Sequence, residues 1–162
     1  MFKSITQFII ILSMCIALPS VAQVPVTAAK DHKVLLASAD PKLAANKKLV
    51  YNFWREVFEG GHIELAPKYL TENYIQHNPN VVTGRDGFVA FLTKFKKPQT
   101  IVNKITMPLV SITAEGDLVI LTFVSELKDP DDATKNYTTT WFDMFRIENG
   151  KIAEHWDGMQ KL

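Results

Sequence analysis

Hydrophobic residues in the first half of the chain recur at the spacing of helices. A first helix is predicted to begin at Asp40, a residue type that caps helix N-termini, and to end at Gly60. A second, shorter helix is predicted over 64–70. A third begins at Arg85, presents phenylalanines on one face and ends before Pro98. The first half is therefore predicted to be helical.

After Pro98 the pattern changes to that of strands, in which β-branched and apolar residues predominate. Four strands are predicted, at 100–113, 118–127, 137–147 and 152–160. The last two are joined through Asn149-Gly150, a strong hairpin signal. Helices followed by a meander of strands indicate one α+β domain, with three helices on the apolar face of the sheet and a cavity at its open end.

The N-terminus has the pattern of a secretory signal. One lysine precedes an apolar run at 8–18, and small residues lead to Ala22, where cleavage is predicted. The run is too short for a bilayer core of about 30 Å, so no membrane anchor is expected after signal removal. Residues 1–22 are thus interpreted as a signal peptide, 23–39 as a flexible leader and 40–162 as the domain of a periplasmic or secreted protein.

Charge and cysteine content exclude several kinds of function. One of the 18 basic residues lies in the signal and all 17 acidic residues follow it, so the mature chain has no net formal charge. Such a chain lacks the basic surface of nucleic-acid-binding proteins. The single cysteine, Cys15, is removed with the signal, which leaves no disulfide and no thiol nucleophile. Phosphate-loop and dinucleotide-binding motifs are absent, and no cofactor is expected.

Two stretches resemble SnoaL-like polyketide cyclases of the NTF2-like superfamily. One is Tyr-Ile-Gln-His-Asn-Pro at 74–79, followed by Thr-Gly-Arg at 83–85, and the other is 143–157. The resemblance implies an NTF2-like cone: three N-terminal helices packed on a curved, mostly antiparallel sheet, with a pocket between them and often a homodimer. Family members catalyse intramolecular aldol closure, and the superfamily includes ketosteroid isomerases, epoxide hydrolases, dehydratases and domains without known catalysis.

The resemblance also implies site residues. The cyclases have an acid/base aspartate on the last strand, where this chain has Asp157. Their histidine on the preceding strand is replaced here by Asp143. We expect Asp157 to be the acid/base, assisted by Asp143 and His155, because a carboxyl group in an apolar pocket gains a pKa suited to proton transfer. The expected pocket-lining residues carry rings: His77, Trp141, Phe145 and Trp156.

Whether these acids meet depends on the hairpin, because side chains alternate between the faces of a strand. With a plain two-residue turn at 149–150, Asp143 pairs with Trp156 and faces away from Asp157. With a three-residue loop and a bulge, Asp143 lies opposite His155, and Asp157 shares their face. The residues permit both arrangements, and the resemblance favours the second.

Structural roles compete with these functional ones. Asp157 could cap a strand end, Asp143 could bond a neighbouring side chain, His155 could line a wall, and His77 could shape the turn before Pro79. The histidines and aspartates together suggest a metal site, but no pair has a local ligand spacing, and no metal is expected.

The sequence supports three functions for this domain. The first is an enzyme that catalyses cofactor-independent proton transfer on a small hydrophobic carbonyl compound, by aldol-type cyclisation, isomerisation or dehydration. The second is a binding module for a hydrophobic small molecule, without turnover. The third is a dimeric interaction domain that uses its sheet as the interface.

Overall fold

The computed structural model describes residues 23–162, in which helices cover one face of a five-stranded sheet. The helical segments are α1 (His32–Leu36), α2 (Pro41–Phe53), a π-helical segment (Trp54–Glu59), a 3-10 turn (Ile63–Leu65), α3 (Ala66–Tyr69) and α4 (Arg85–Thr93). The strands are β1 (Leu70–Gln76), β2 (Leu109–Glu115), β3 (Leu118–Lys128), β4 (Asn136–Glu148) and β5 (Lys151–Asp157). The predicted α+β class is confirmed.

Helix α2 begins as predicted. The Asp40 carboxylate accepts hydrogen bonds from the backbone N–H groups of Lys42 (2.7 Å) and Leu43 (3.4 Å), which satisfies donors at the helix start. The helix continues into the π-helical segment and ends at Gly60. Gly61 follows with φ +71°, and a Cβ there would lie 2.5 Å from the carbonyl oxygen of Lys97. The chain can therefore turn here only with glycine.

The sheet has the order β1-β5-β4-β3-β2. Strand β1 pairs in parallel with β5, and the other neighbours are antiparallel. Strand β1 was not predicted, because its threonine, glutamate and asparagine give little apolar alternation. The sheet therefore contains one strand more than the meander expected from the sequence.

The predicted strand at 100–113 is wrong over its first part, since β2 begins only at Leu109. The backbone N–H groups of residues 105–107, just before β2, donate hydrogen bonds to side chains and not to a neighbouring strand. The N–H of Ile105 donates to the Tyr51 hydroxyl (3.1 Å), and those of Thr106 and Met107 donate to the Glu59 carboxylate, each at 2.8 Å. Side chains of α2 and the π-helical segment thus replace the neighbouring strand that this segment would need.

The stretch interpreted as a flexible leader contains helix α1 and crosses the sheet. The N–H of Ala29 donates to the Leu109 carbonyl (2.8 Å), and the N–H of Val26 donates to the Thr138 hydroxyl (2.8 Å). In this respect the structure differs from the expectation. The predicted signal peptide, residues 1–22, lies outside the described residues. Within 23–162, no helix is both long and apolar enough to cross a membrane.

Aromatic packing joins the helices to the inner face of the sheet. Trp54 stacks on Phe123 at a centroid distance of 4.8 Å, and Phe53 meets Phe145 edge to face at 6.0 Å. All four side chains are at most 3% exposed. The core thus lies between α2 and strands β3 and β4, and the space beyond it is available for a cavity.

Candidate functional site

A bulge in strand β5 brings the predicted acids together. The turn has two residues, Asn149 (φ 49°) and Gly150 (φ 74°), both left-handed as a type I′ hairpin requires. Pairing starts in the plain register and then shifts by one residue at Ala153, so that Asp143 lies opposite Asp157. The bulge therefore lies in the strand and not in the loop, because the Asn-Gly pair already satisfies the tight turn.

This register combines parts of both predicted arrangements. The turn is the plain one, whereas the shared face of Asp143, His155 and Asp157 belongs to the bulged one. The expectation that Asp143 lies directly opposite His155 is wrong, since Phe145 occupies that position. Asp143 and His155 nevertheless meet diagonally across the two strands.

A cavity of about 270 Å³ lies between the helices and this face of the sheet. Its helical side is apolar, and its polar groups come from β1, β4, β5 and the residues that follow β1. The apolar walls are formed by aromatic and aliphatic residues: Phe53, Trp54, Phe58, Val81, Phe88, Phe91, Met107, Trp141, Phe145 and Met159. The polar lining residues are Tyr74, Gln76, Asn78, Asp143, His155 and Asp157. An apolar cavity with a few convergent polar groups is typical of small-molecule sites.

Asp143 and His155 form a buried pair in this cavity, 4% and 7% exposed. The Nε2 atom of His155 lies 2.9 Å from Oδ1 of Asp143. The indole N–H of Trp141 donates to the other carboxyl oxygen, Oδ2, at 2.9 Å. Both oxygens of Asp143 are therefore engaged, which limits the cost of burying this group.

The orientation of Gln76 determines which nitrogen of His155 carries a proton. Oε1 of Gln76 accepts from the backbone N–H of Asn78 (3.0 Å), a group that can only donate. The same Oε1 lies 2.9 Å from Nδ1 of His155, so Nδ1 must be the protonated nitrogen there. Consequently the contact between His155 and Asp143 contains one shared proton, held by either the carboxyl group or Nε2.

The surroundings of Asp143 favour its protonated form. Burial raises the pKa of Asp143, and the nearby charge of Asp157 raises it further, whereas the hydrogen bonds from His155 and Trp141 oppose this rise. On balance the pKa of Asp143 is raised, so the shared proton is available as an acid inside the cavity.

Asp157 has a different environment, although it is the cross-strand neighbour of Asp143. Its Oδ2 accepts from the side-chain amide of Asn78 (2.7 Å), and its Oδ1 accepts from the backbone N–H of Met159 (2.9 Å). Asn78 is itself oriented by the N–H of Asn80, which donates to its Oδ1 (2.9 Å). Asp157 is therefore half-buried, and both of its carboxyl oxygens accept hydrogen bonds from N–H groups.

Two of the predicted pocket residues lie elsewhere. Trp156 is on the outer face of the sheet, where its ring stacks on His77 at 5.1 Å. His77 is turned toward Glu154, with 2.7 Å between Nε2 and the carboxylate. The expectation that His77 and Trp156 line the cavity is therefore wrong. Successive side chains alternate between faces, and each of these residues is next to one whose side chain faces the cavity. Trp141 and Phe145 do line it.

Sequence reasoning missed Tyr74, Gln76 and Asn78, which lie in or directly after strand β1. All three belong to the stretch that carried the family resemblance, and they alternate with Ile75 and His77. His77 was selected for its chemistry. Had β1 been recognised as a strand, its period of two would have shown that the residues on either side of His77 share a face.

Asp143, His155 and Asp157 are also the residues that could hold a metal ion. Their donor atoms lie within 4.8 Å of one another. The set would offer one imidazole and two carboxylates, with the ring oriented by Gln76 as metal-bound histidines commonly are. The absence of a metal stays a prediction.

Comparison with known proteins supports the resemblance. A family model described as a SnoaL-like domain matches residues 50–155. TsrD from Streptomyces laurentii superposes with a TM-score of 0.50 at 23% identity, covering 76% of this chain and 92% of that one. A proposed polyketide cyclase from Acidithiobacillus ferrooxidans gives 0.50 at 18% identity, with coverage of 75% and 89%.

A third solved structure has a different named activity. An LEH-like epoxide hydrolase from M. tuberculosis superposes with a TM-score of 0.51 at 12% identity, covering 72% of this chain and 84% of that one. Among curated protein sequences, none matches this chain. Since one fold hosts these differently named proteins, the activity must be argued from the site.

Proposed function

We propose that this chain, which belongs to the SnoaL-like family, catalyses cofactor-independent proton transfer on a small carbonyl compound. The reaction class includes aldol-type cyclisation, isomerisation and dehydration. The solved structure named as a proposed polyketide cyclase is consistent with this class. One observation carries the proposal: two carboxyl groups face the same apolar cavity as cross-strand neighbours, Asp143 buried with a raised pKa and Asp157 accepting hydrogen bonds from two N–H groups.

The acid–base roles follow from those environments. The Asp157 carboxylate removes a proton from the carbon next to the carbonyl group. The C–H electron pair then forms the C=C bond of an enolate, and the carbonyl electrons move to oxygen. The shared proton of Asp143 and His155 provides the acid on the same wall. In an isomerisation Asp157 returns its proton to another carbon. In an aldol closure the enolate carbon attacks a second carbonyl, whose oxygen takes the proton.

The cavity walls add to this chemistry. Ten of the residues that surround it are apolar, so the enolate forms in a medium of low dielectric constant, where each hydrogen bond is stronger than in water. The volume of about 270 Å³ is slightly below the range of about 300–1,000 Å³ common for small-molecule sites. We therefore place the substrate among small compounds.

Hydrogen exchange tests the proposal without knowledge of the natural substrate. The protein is incubated in D2O with uncharged ketones from cyclohexanone to 2-acetylnaphthalene, and loss of the α-proton signals is followed by NMR. We expect exchange faster than in buffer, reduced on the order of 100-fold or more in Asp157→Asn, since general-base catalysis contributes about 10²–10⁴-fold. Asp131→Asn, an exposed loop carboxylate, is the matched control and should exchange like the wild type.

Two results would contradict catalysis. If Asp157→Asn exchanges at the wild-type rate, Asp157 is not the base. If the folded wild type binds these ketones but none of them exchanges, the cavity is a binding module without turnover.

Export and assembly complete the proposal. The signal pattern of residues 1–22 supports export to the periplasm or medium, and N-terminal sequencing of the mature protein should then begin at Gln23. A homodimer through the outer sheet face is supported by a shallow groove there, whose lining includes Ile120, Phe142, Met144 and Trp156.

A further inference from the structure

The hydroxyl group of Tyr74 has a proton without an acceptor in the described part of the chain. Tyr74 is 1% exposed and lines the cavity. Its hydroxyl oxygen accepts a hydrogen bond from Nε2 of Gln76 at 3.1 Å. Among residues 23–162 no oxygen or nitrogen accepts the hydroxyl proton itself. Buried hydroxyl groups normally donate, so this donor is available to a molecule in the cavity.

Gln76 fixes the direction of this hydrogen bond. Its Oε1 is held by the N–H of Asn78 and by Nδ1–H of His155, so its Nε2 must be the atom that faces Tyr74. An amide nitrogen can only donate. The Tyr74 hydroxyl therefore accepts from Gln76 and cannot turn its own proton toward it. One side chain thus positions both His155 and Tyr74.

The electrostatic surroundings keep Tyr74 protonated. Burial raises the pKa of its phenol, and the charges of Asp143 and Asp157 add to the rise. These two acids are also the groups that move the substrate proton in the proposed function. The hydroxyl therefore donates at any pH at which the site would work, close to the reacting groups.

The charges of the lining residues restrict the ligand. The cavity wall within 23–162 contains two aspartates and neither lysine nor arginine. A carboxylate or phosphate on the ligand would be buried beside the aspartates without a cationic partner, which is unfavourable. An uncharged molecule avoids this cost. Negative charge would then arise only during the reaction, on the oxygen of the carbonyl group.

We propose that the Tyr74 hydroxyl donates a hydrogen bond to the substrate oxygen on which negative charge develops, that Gln76 is its positioning residue, and that the substrate is an uncharged carbonyl compound. The inference rests on the proposed function and specifies its substrate class and oxyanion donor. In the cavity, Asp157 removes the carbon-bound proton, and Tyr74 stabilises the resulting enolate oxygen without transferring its own proton.

Binding of an enolate mimic tests this role directly. The probe is 2-naphthol, whose oxygen resembles an enolate oxygen and whose fluorescence reports both binding and ionisation. We expect Tyr74→Phe to weaken 2-naphthol binding about 10-fold or more, the effect of losing one hydrogen bond to a charged group. Naphthalene, which lacks the oxygen, should bind both proteins equally. Tyr137→Phe removes a partly exposed hydroxyl outside the cavity and should leave both affinities unchanged.

Two further measurements address the positioning residue and the charge of the ligand. In Gln76→Glu the carboxylate would accept the Tyr74 proton, so the variant should lose 2-naphthol affinity as Tyr74→Phe does, with an unchanged circular dichroism spectrum. The anion 2-naphthoate should bind the wild type at least about 10-fold more weakly than 2-naphthol. Equal 2-naphthol affinity in Tyr74→Phe and wild type, or preferred binding of 2-naphthoate, would overturn the inference.

The exchange assay separates this inference from the proposed function. If Asp157→Asn abolishes exchange while Tyr74→Phe retains full exchange and full 2-naphthol affinity, proton transfer stands and the role of Tyr74 is refuted. If Tyr74→Phe weakens 2-naphthol binding but the wild type exchanges the α-protons of no ketone, the role of Tyr74 as a hydrogen-bond donor is supported and the proposed catalysis is refuted.

Discussion

Replacing Trp141 by phenylalanine removes one donor from the buried acid of the site. The indole N–H donates to Oδ2 of Asp143 at 2.9 Å, and this bond favours the ionised carboxyl group. A hydrogen bond to a charged group contributes about 1.5–3 kcal/mol to stability, whereas one to a neutral group contributes about 0.5–1.5 kcal/mol. The cost of Trp141→Phe should therefore depend on the protonation of Asp143.

The magnitude can be expressed as a denaturation midpoint. The loss of unfolding free energy in Trp141→Phe should be larger by about 1–1.5 kcal/mol at pH 8, where Asp143 is more ionised, than at pH 4. With a urea m-value of about 2 kcal/mol/M, the midpoint difference between wild type and variant should grow by about 0.5–0.75 M between these pH values. The lost packing of the indole lowers the unfolding free energy further, by the same amount at both pH values.

Urea unfolding followed by far-UV circular dichroism measures this difference. The matched control is Trp54→Phe, because the Trp54 indole nitrogen is buried without a hydrogen-bond partner among the described residues. Its substitution should cost packing energy alone, equally at pH 4 and pH 8. If the loss of unfolding free energy in Trp141→Phe is also the same at pH 4 and pH 8, Asp143 does not ionise in this range. The inference that a titrating acid lies in the cavity would then be wrong.

Two further predictions concern the buried acid and the outer face. Burial raises the pKa of Asp143, so its contribution to stability is complete below the usual aspartate range and is lost as pH rises through the raised pKa. The unfolding free energy of the wild type, relative to Asp143→Asn, should therefore fall as pH increases, and a parallel pH profile for the two proteins would refute this. On the outer face, Phe142 is 52% exposed, and Phe142→Lys should convert a dimer to a monomer in light scattering. Phe95→Lys, at a 69% exposed site in the turn after α4, is the control, and an unchanged mass in Phe142→Lys would exclude this interface.

The elements predicted well from the sequence are those with strong local signals. The Asp40 cap, the Asn149-Gly150 turn and the apolar and β-branched runs of β3 and β4 each depend on neighbouring residues. Strand β1 and the irregular segment before β2 depend on distant partners. The segment before β2 has hydrogen bonds to Glu59 and Tyr51, more than 40 positions away, which no local pattern reveals.

The candidate site was predicted in its chemistry but only partly in its geometry. Family resemblance selected Asp143 and Asp157, and side-chain chemistry added His155. The structure brings all three to one cavity. Side-chain chemistry also suggested His77 and Trp156, which face away, since chemical type does not report the face of a strand. The bulge at Ala153 has no marker in the sequence, because alanine fits a regular strand equally well.

Strand β5 is the element on which the whole site depends. Its antiparallel pairing, shifted at Ala153, sets Asp157 opposite Asp143, and its parallel pairing with β1 sets His155 beside Gln76. Without the one-residue shift, the period of two would send His155 and Asp157 to the outer face, while the apolar helical walls of the cavity stayed in place. A cavity and an acid–base pair are thus specified by different parts of this chain. A protein with the same fold and the plain register could keep the binding space and lose the proposed proton chemistry, as expected where one fold hosts different functions.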